Sequence, residues 1–70
     1  MIHMFAQELH TYVNGEKRAE VWRTQDGRFG CRFWKNNVHQ TDEIYEGHSE
    51  EYAENAAENY VFGIKTLLLG

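Results

Sequence analysis

The amino-acid sequence predicts an α+β fold: a three- to four-stranded antiparallel β-meander followed by one C-terminal α-helix packed on one face of the sheet. Three observations lead to this prediction. Apolar and polar residues partly alternate in the first part of the chain, and pairs of turn-forming residues interrupt that alternation. Further along, the apolar residues change to the three- and four-residue spacing of a helix. With 70 residues and no linker-like segment, we expect one domain over residues 1–70.

The strands are predicted within about residues 4–46, and three turn signals divide them. Asn14-Gly15 closes a first hairpin because both residues tolerate positive φ. Asp26-Gly27 marks a second turn with the glycine in a left-handed position, and Asn36-Asn37 marks a third. The fourth strand, around Val38–Tyr45, is polar, so we expect it at an edge of the sheet.

The second turn sets the pairing of the two strands that flank it. One sheet face then receives only apolar pairs, whereas the other receives an ion pair and a tryptophan beside a glycine. The pairs are Val21 with Cys31 and Ala19 with Phe33 on the first face, and Glu20 with Arg32 and Trp22 with Gly30 on the second. We therefore expect the first face to lie under the helix, with Cys31 buried and unreactive.

The helix is predicted over about residues 50–67. Ser49 is a favourable N-cap, and the two glutamates that follow it suit the positive end of the helix dipole. From Ala53 onward, apolar residues recur on one side of the helix. Gly63 weakens a helix by about 1 kcal/mol relative to alanine, so we expect fraying beyond it.

Charge changes along the chain where the periodicity does. Residues 1–41 contain six basic and four acidic side chains, whereas residues 42–70 contain seven acidic side chains and one basic. Glu50, Glu54 and Glu58 form an acidic stripe at four-residue spacing on the helix. The acidic stripe is either a solvated outer face, or a surface that meets a basic partner or imitates a nucleic-acid backbone.

The sheet face opposite the helix carries the candidate binding residues, because a single helix covers only one face. We assign to this face Trp22, Trp34, Arg28, Arg32, Tyr12 and His39, with Phe62 as a further exposed apolar residue beside it. Tryptophan and arginine are enriched in the hot spots of protein interfaces. The same residue types also stack single-stranded bases and hold phosphates. The third alternative is that these side chains simply cover the sheet.

No sequence pattern indicates catalysis or a cofactor. The four histidines and the one cysteine lack the closely spaced ligand pairs of a zinc site; they are His3, His10, His39, His48 and Cys31. The carboxylates between the last strand and the helix lie in polar surroundings, which keep them ionised. We therefore expect no enzymatic activity, no metal site and no cofactor.

Composition bears on the compartment and the partners of the protein. A single cysteine excludes an internal disulfide, and the chain lacks a long apolar run and the basic and apolar regions of a signal peptide. We therefore expect a cytoplasmic protein that does not enter a membrane. A core of this size supplies roughly 3–5 kcal/mol, so we expect a protein partner, most simply in a homodimer, to add stability. The net charge of −4 disfavours nucleic acid as the partner.

Short strands, turns at Asn14-Gly15 and Asp26-Gly27, and a closing helix that contains residues 54–63 resemble the layout of small uncharacterised proteins common in tailed-bacteriophage genomes. This resemblance implies an accessory or host-modulating protein that acts in the host cytoplasm without catalysis. Together with the residue patterns, it predicts a non-catalytic protein-interaction module. The alternatives are a nucleic-acid-binding module that uses the same sheet face, and an acidic DNA mimic that uses the acidic stripe.

Overall fold

The computed structural model describes residues 5–67. In this part of the chain, four antiparallel strands form one sheet in the order β1-β2-β3-β4, and a single helix follows them. The elements are β1 (Phe5–Asn14), β2 (Lys17–Thr24), β3 (Phe29–Lys35), β4 (Val38–Tyr45) and α1 (Glu50–Val61). The predicted α+β meander is confirmed, with four strands and with β4 at an edge. Residues 1–4 and 68–70 of the predicted domain, His3 among them, lie outside the described residues.

Residues in the left-handed backbone region close the three hairpins. Gly15 has φ 63° in the turn between β1 and β2, and Gly27 has φ 89° between β2 and β3. In the last hairpin Asn36 and Asn37 have φ 53° and 64°. Two successive positive φ values are the requirement of a type I′ turn, and asparagine tolerates them better than most residues with a side chain. The second and third turns lie where the sequence predicts them, and the first is formed by Gly15 and Glu16, one residue later than predicted.

The helix packs on the sheet face that the register of β2 and β3 predicts. Within residues 5–67, the buried core consists of Ala19, Val21, Cys31, Phe33, Ala53, Ala57, Tyr60 and Val61. The pairing of Val21 with Cys31 and of Ala19 with Phe33 is confirmed. Small residues on α1 bring the helix backbone close to the sheet, so that the Cys31 thiol donates to the carbonyl oxygen of Ala53 at 3.2 Å. The predicted burial of Cys31 is therefore confirmed.

Both ends of α1 have identifiable causes, and the predicted end at residue 67 is wrong. The Ser49 hydroxyl accepts from the N–H of Tyr52 at 3.4 Å, as expected of an N-cap. The helix ends at Val61 because Gly63 adopts φ 83° and begins a Schellman motif, in which the N–H of Ile64 donates to the carbonyl of the helix residue five positions earlier at 2.8 Å. At twelve residues, α1 is too short to cross a membrane, and residues 5–67 contain no longer helix.

Tyr12 lies on the helix side of the sheet, so its predicted place on the opposite face is wrong. It pairs with Ala19 and packs against the buried core. The two-residue turn after β1 dictates this pairing. A bulge between Glu8 and His10 keeps Leu9 in contact with the core, and Val13 is 65% exposed on the other side.

Candidate functional site

The sheet face opposite α1, which we call the helix-free face, carries a band of aromatic, basic and acidic side chains. Within residues 5–67, α1 is the only element outside the sheet, and it packs on the other face. The strand register and the side-chain contacts define a central cluster on the helix-free face that consists of Phe5, Arg18, Glu20, Trp22, Arg32, Trp34, His39 and Asp42. The predicted positions of Trp22, Trp34, Arg32 and His39 on this face agree with the strand pairing.

Trp22 occupies one end of the central cluster. Its ring stacks on Phe5 with the ring centroids 5.8 Å apart, and the guanidinium of Arg32 lies 5.9 Å from each centroid. Gly30 lies opposite Trp22 on the neighbouring strand and makes room for this stack. A Cβ at Gly30 would lie 3.0 Å from the Phe5 ring and 2.3 Å from the carbonyl oxygen of Glu43.

Trp34 occupies the other end of the central cluster. The guanidinium of Arg18 lies 4.4 Å above the indole ring, and His39 meets that ring edge-on with the centroids 5.2 Å apart. Both tryptophans are therefore half-buried, although no helix of residues 5–67 packs on their face of the sheet. The indole N–H of Trp34 is buried without a hydrogen-bond partner among residues 5–67, and such a group costs about 1–3 kcal/mol.

Glu20 connects the two ends of the central cluster. Its carboxylate accepts from the indole N–H of Trp22 at 3.1 Å, and its other oxygen lies 3.4 Å from Nε of Arg18. The Arg18 contact is an ion pair without hydrogen-bond alignment, since that Nε is also an unpaired buried donor. The sequence predicted an ion pair between Glu20 and Arg32. These residues do lie opposite each other, but Glu20 pairs with Arg18 instead.

Asp42 of the edge strand β4 neutralises the second arginine. One of its oxygens lies 3.2 Å from Nε of Arg32 and 2.8 Å from Nε2 of His39. The two arginines of the central cluster are thus matched by two carboxylates, each within ion-pair distance. A phosphate that approached this face would compete with carboxylates already in place.

Two further predicted site residues lie away from the central cluster. Arg28 belongs to the turn between β2 and β3, where its Nε lies 3.1 Å from Asp26 and its Nη1 lies 3.4 Å from Glu46. Phe62 follows α1 and is 64% exposed, but on the helix side of the sheet. The expectation that Phe62 lies beside the tryptophans is wrong, because α1 packs on the face opposite to them.

The sequence interpretation missed four members of the central cluster: Phe5, Arg18, Glu20 as the partner of Arg18, and Asp42. The position of Arg18 could have been predicted from the sequence, because the predicted register of β2 and β3 already places it opposite Trp34. The position of Phe5 could not, because two register shifts in β1 separate it from the hairpin turn that sets the pairing. Such shifts have no local sequence signal in this strand.

The acidic stripe does not lie wholly on an outer face. Glu50 and Glu54 are half-buried against His10 of β1, whereas Glu58 is exposed. The Nε2 atom of His10 lies 3.2 Å from Glu50 and 2.9 Å from Glu54. Burial, followed by a hydrogen bond with Glu50, raises the pKa of Glu54. Burial and the negative charge of Glu54 and Glu58 also raise the pKa of Tyr12, which lies beside the same helix flank.

The remaining reactive side chain and a groove beside α1 offer little chemistry. Burial raises the pKa of the Cys31 thiol to about 12, so the nucleophilic thiolate is disfavoured. A groove beside the end of α1 is lined by Lys17, Lys35, Gln40, Tyr60, Gly63, Lys65, Thr66 and Leu67. Two of its three lysines already have carboxylate partners, because Lys35 pairs with Glu16 and Lys65 pairs with Glu43.

Comparisons of the chain with protein-family models, curated proteins and solved structures find no match. The resemblance to tailed-bacteriophage accessory proteins therefore stays a prediction.

Proposed function

We propose that this protein is a small non-catalytic interaction module that binds a protein partner through the helix-free face, in the first place a second copy of itself. The observation that supports the proposal most is the pair of tryptophan rings, each with one arginine guanidinium against it, on a sheet face that no element of residues 5–67 covers. Tryptophan and arginine contribute most to binding at interface hot spots because they bury a large area when desolvated.

The charge arrangement of the central cluster favours a protein partner of the same kind. Although the chain carries a net charge of −4, Arg18 and Arg32 are matched by Glu20 and Asp42. Two copies therefore meet through a central cluster whose arginines and carboxylates balance in charge, which limits repulsion between them. Burial also leaves each charged group near an opposite charge, and unpaired buried charges are the costly ones.

Exposed aliphatic side chains extend this face to both edges of the sheet. Val13 of β1 pairs with Arg18 and is 65% exposed, and Ile44 of β4 pairs with Gly30 and is 38% exposed. Apolar side chains are thus present on both edge strands of this face as well as at the two tryptophans. A face of this kind suits an interface with twofold symmetry, in which the same patch of each copy takes part.

The small core supplies a reason for self-association. Three of the eight buried apolar residues in the described part of the chain are alanines, which remove little apolar area from water. Domains of this size gain stability from a partner, since association favours the folded state by mass action. We therefore place dimerisation before binding of an unrelated protein.

Nucleic-acid binding and acidic mimicry have less support. The arginines that would hold phosphates are within ion-pair distance of carboxylates. Two members of the acidic stripe turn toward His10 instead of presenting a regular row of charges to solvent. Salt dependence separates nucleic-acid binding from the proposed protein interface. Nucleic-acid binding weakens steeply as the salt concentration rises, whereas association through apolar contacts does not.

The proposal is tested by placing a charge on each side of the sheet. Ile44→Lys introduces a charge on the helix-free face, on an edge strand that tolerates lysine. Ile64→Lys is the matched control, because Ile64 is 73% exposed on the helix side. By sedimentation velocity at high micromolar concentration, we expect wild type and Ile64→Lys to dimerise and Ile44→Lys to stay monomeric. A monomeric wild type would contradict the dimer, and equal dimerisation of both variants would contradict the assigned face.

A further inference from the structure

We infer that His10, Glu50 and Glu54 form a binding site for a divalent transition-metal ion, with Zn²⁺ as the ion whose chemistry fits best. The site lies between β1 and the flank of α1, on the opposite side of the sheet from the helix-free face. It does not depend on the proposed function. It also departs from the sequence prediction of no metal site, which rested on the lack of ligand pairs close together in sequence. These ligands come from two elements forty residues apart.

The distances between the ligand atoms suit a tetrahedral ion. Nε2 of His10 lies 3.2 Å from Oε2 of Glu50 and 2.9 Å from Oε2 of Glu54, and the ligand atoms lie within 4.8 Å of one another. Zinc bonds of about 2.0–2.2 Å place neighbouring ligands of a tetrahedron roughly 3.3–3.6 Å apart. The two distances from His10 to the glutamates therefore need to open by only a few tenths of an ångström to admit the ion.

The fold fixes these three side chains on facing surfaces. His10 pairs with Val21 immediately after the bulge in β1, which turns the imidazole toward α1. Ser49 sets the first residue of the helix, and the four-residue spacing then places Glu50 and Glu54 on the same flank. An ion at this place would add a link between the edge strand and the helix, which are also joined by a hydrogen bond from the Asn14 side chain to the carbonyl of Val61 at 2.9 Å.

The electrostatics of the helix flank favour a cation. Among the residues that the structure describes, neither a lysine nor an arginine forms an ion pair with Glu50 or Glu54. A neutral imidazole leaves the two carboxylates facing each other without compensation, with Glu58 and Tyr12 nearby on the same flank. The competing arrangement is a protonated His10 that pairs with both carboxylates. The two arrangements have opposite pH dependence, because an imidazole binds a metal only after losing its proton.

The donor set selects among cations. One imidazole nitrogen and two carboxylate oxygens match zinc and other late first-row ions, and they leave a fourth position open to solvent. Calcium takes six to eight oxygen ligands, and magnesium keeps several waters around one or two carboxylates. The site therefore discriminates against these hard cations.

The test is titration of Zn²⁺ into the full chain at pH 7.5, in a buffer that does not bind the ion, followed by isothermal calorimetry and thermal melting. We expect one ion per chain and a rise in the melting temperature. His10→Ala and Glu54→Gln should each weaken binding by more than about tenfold, since loss of even an outer-shell partner costs roughly 10–100-fold. Lowering the pH to 5.5 should weaken binding, and Mg²⁺ or Ca²⁺ should not compete.

His39→Ala is the matched control, because His39 also lies beside a carboxylate, Asp42, but beside only one. We expect this variant to keep the wild-type affinity. The inference is overturned if wild type binds Zn²⁺ no better than Glu54→Gln, or if His39→Ala loses as much affinity as His10→Ala. Circular dichroism establishes that each variant is folded, and Glu54→Gln, which keeps the size of the side chain, decides the result if His10→Ala unfolds.

Discussion

Gly30→Ala should destabilise the protein, because the helix-free face has no room for a methyl group there. The new Cβ would lie 2.3 Å from the carbonyl oxygen of Glu43 and 3.0 Å from the ring of Phe5. The first contact is with backbone, so β4 itself must shift. Overpacking of this kind costs about 1–3 kcal/mol, and we expect the upper end here. In the opposite direction, replacing a glycine within a strand by alanine raises the free energy of unfolding by roughly 0.5–1 kcal/mol.

The net loss is therefore about 2 kcal/mol, which for a domain of this size lowers the melting temperature by about 8–16 °C. Because Phe5 stacks on Trp22, tryptophan emission of the folded variant should also change. Gly47→Ala is the control: its Cβ would meet nothing within 4 Å, and only its positive φ of 77° opposes the substitution. That variant should lose some stability through backbone strain but keep the wild-type emission. An unchanged melting temperature and emission in Gly30→Ala would refute the packing of Phe5 and β4 around Gly30.

Three further predictions concern the core, a turn and the helix end. Cys31 should react with a thiol dye only after denaturant is added, because burial raises its pKa to about 12; rapid labelling of the native protein would show that the thiol is not under α1. The pKa of Asp26 is lowered, first by the hydrogen bond from Thr24, so its ionised form stabilises the fold above the ordinary carboxyl range and this contribution is lost as pH falls through the lowered pKa. Asp26→Asn should therefore lower the melting temperature more at pH 7 than at pH 2.5, and a pH-independent difference would contradict this. Gly63→Ala should cost about 1–2 kcal/mol by urea denaturation because φ 83° is unfavourable for alanine, and a more stable variant would mean that Gly63 does not end the helix as described.

The sequence predicts the parts of the fold that local geometry determines. A turn of known type fixes the register beside it, so the pairing of Val21 with Cys31 and the position of Trp22 opposite Gly30 follow from Asp26-Gly27 alone. Capping works in the same way, because Ser49 and the residues after it specify where α1 begins.

The features that sequence reasoning misses depend on contacts between distant parts of the chain. Within β1, the bulge between Glu8 and His10 lets Leu9 and Tyr12 reach the same face of the sheet although they are three residues apart, which strict alternation does not allow. Arg32 forms an ion pair with Asp42 of β4 and not with Glu20 of β2, although both carboxylates lie on strands next to it in the sheet. His10 meets the acidic stripe only once α1 is packed on the sheet. The spacing of residues along the chain therefore predicts neither the partner of Arg32 nor the partners of His10.

Tryptophan fluorescence can establish whether the helix-free face is the proposed dimer interface. Trp22 and Trp34 are the two tryptophans of the chain, and both belong to the central cluster. Emission and acrylamide quenching therefore report on this face alone. We predict that dilution from high to low micromolar concentration shifts the emission to longer wavelength and increases quenching, with the same midpoint as dimer dissociation in sedimentation. A dimer that dissociates without any change in emission or quenching, or a chain that is monomeric at every concentration, would contradict a dimer interface on the helix-free face.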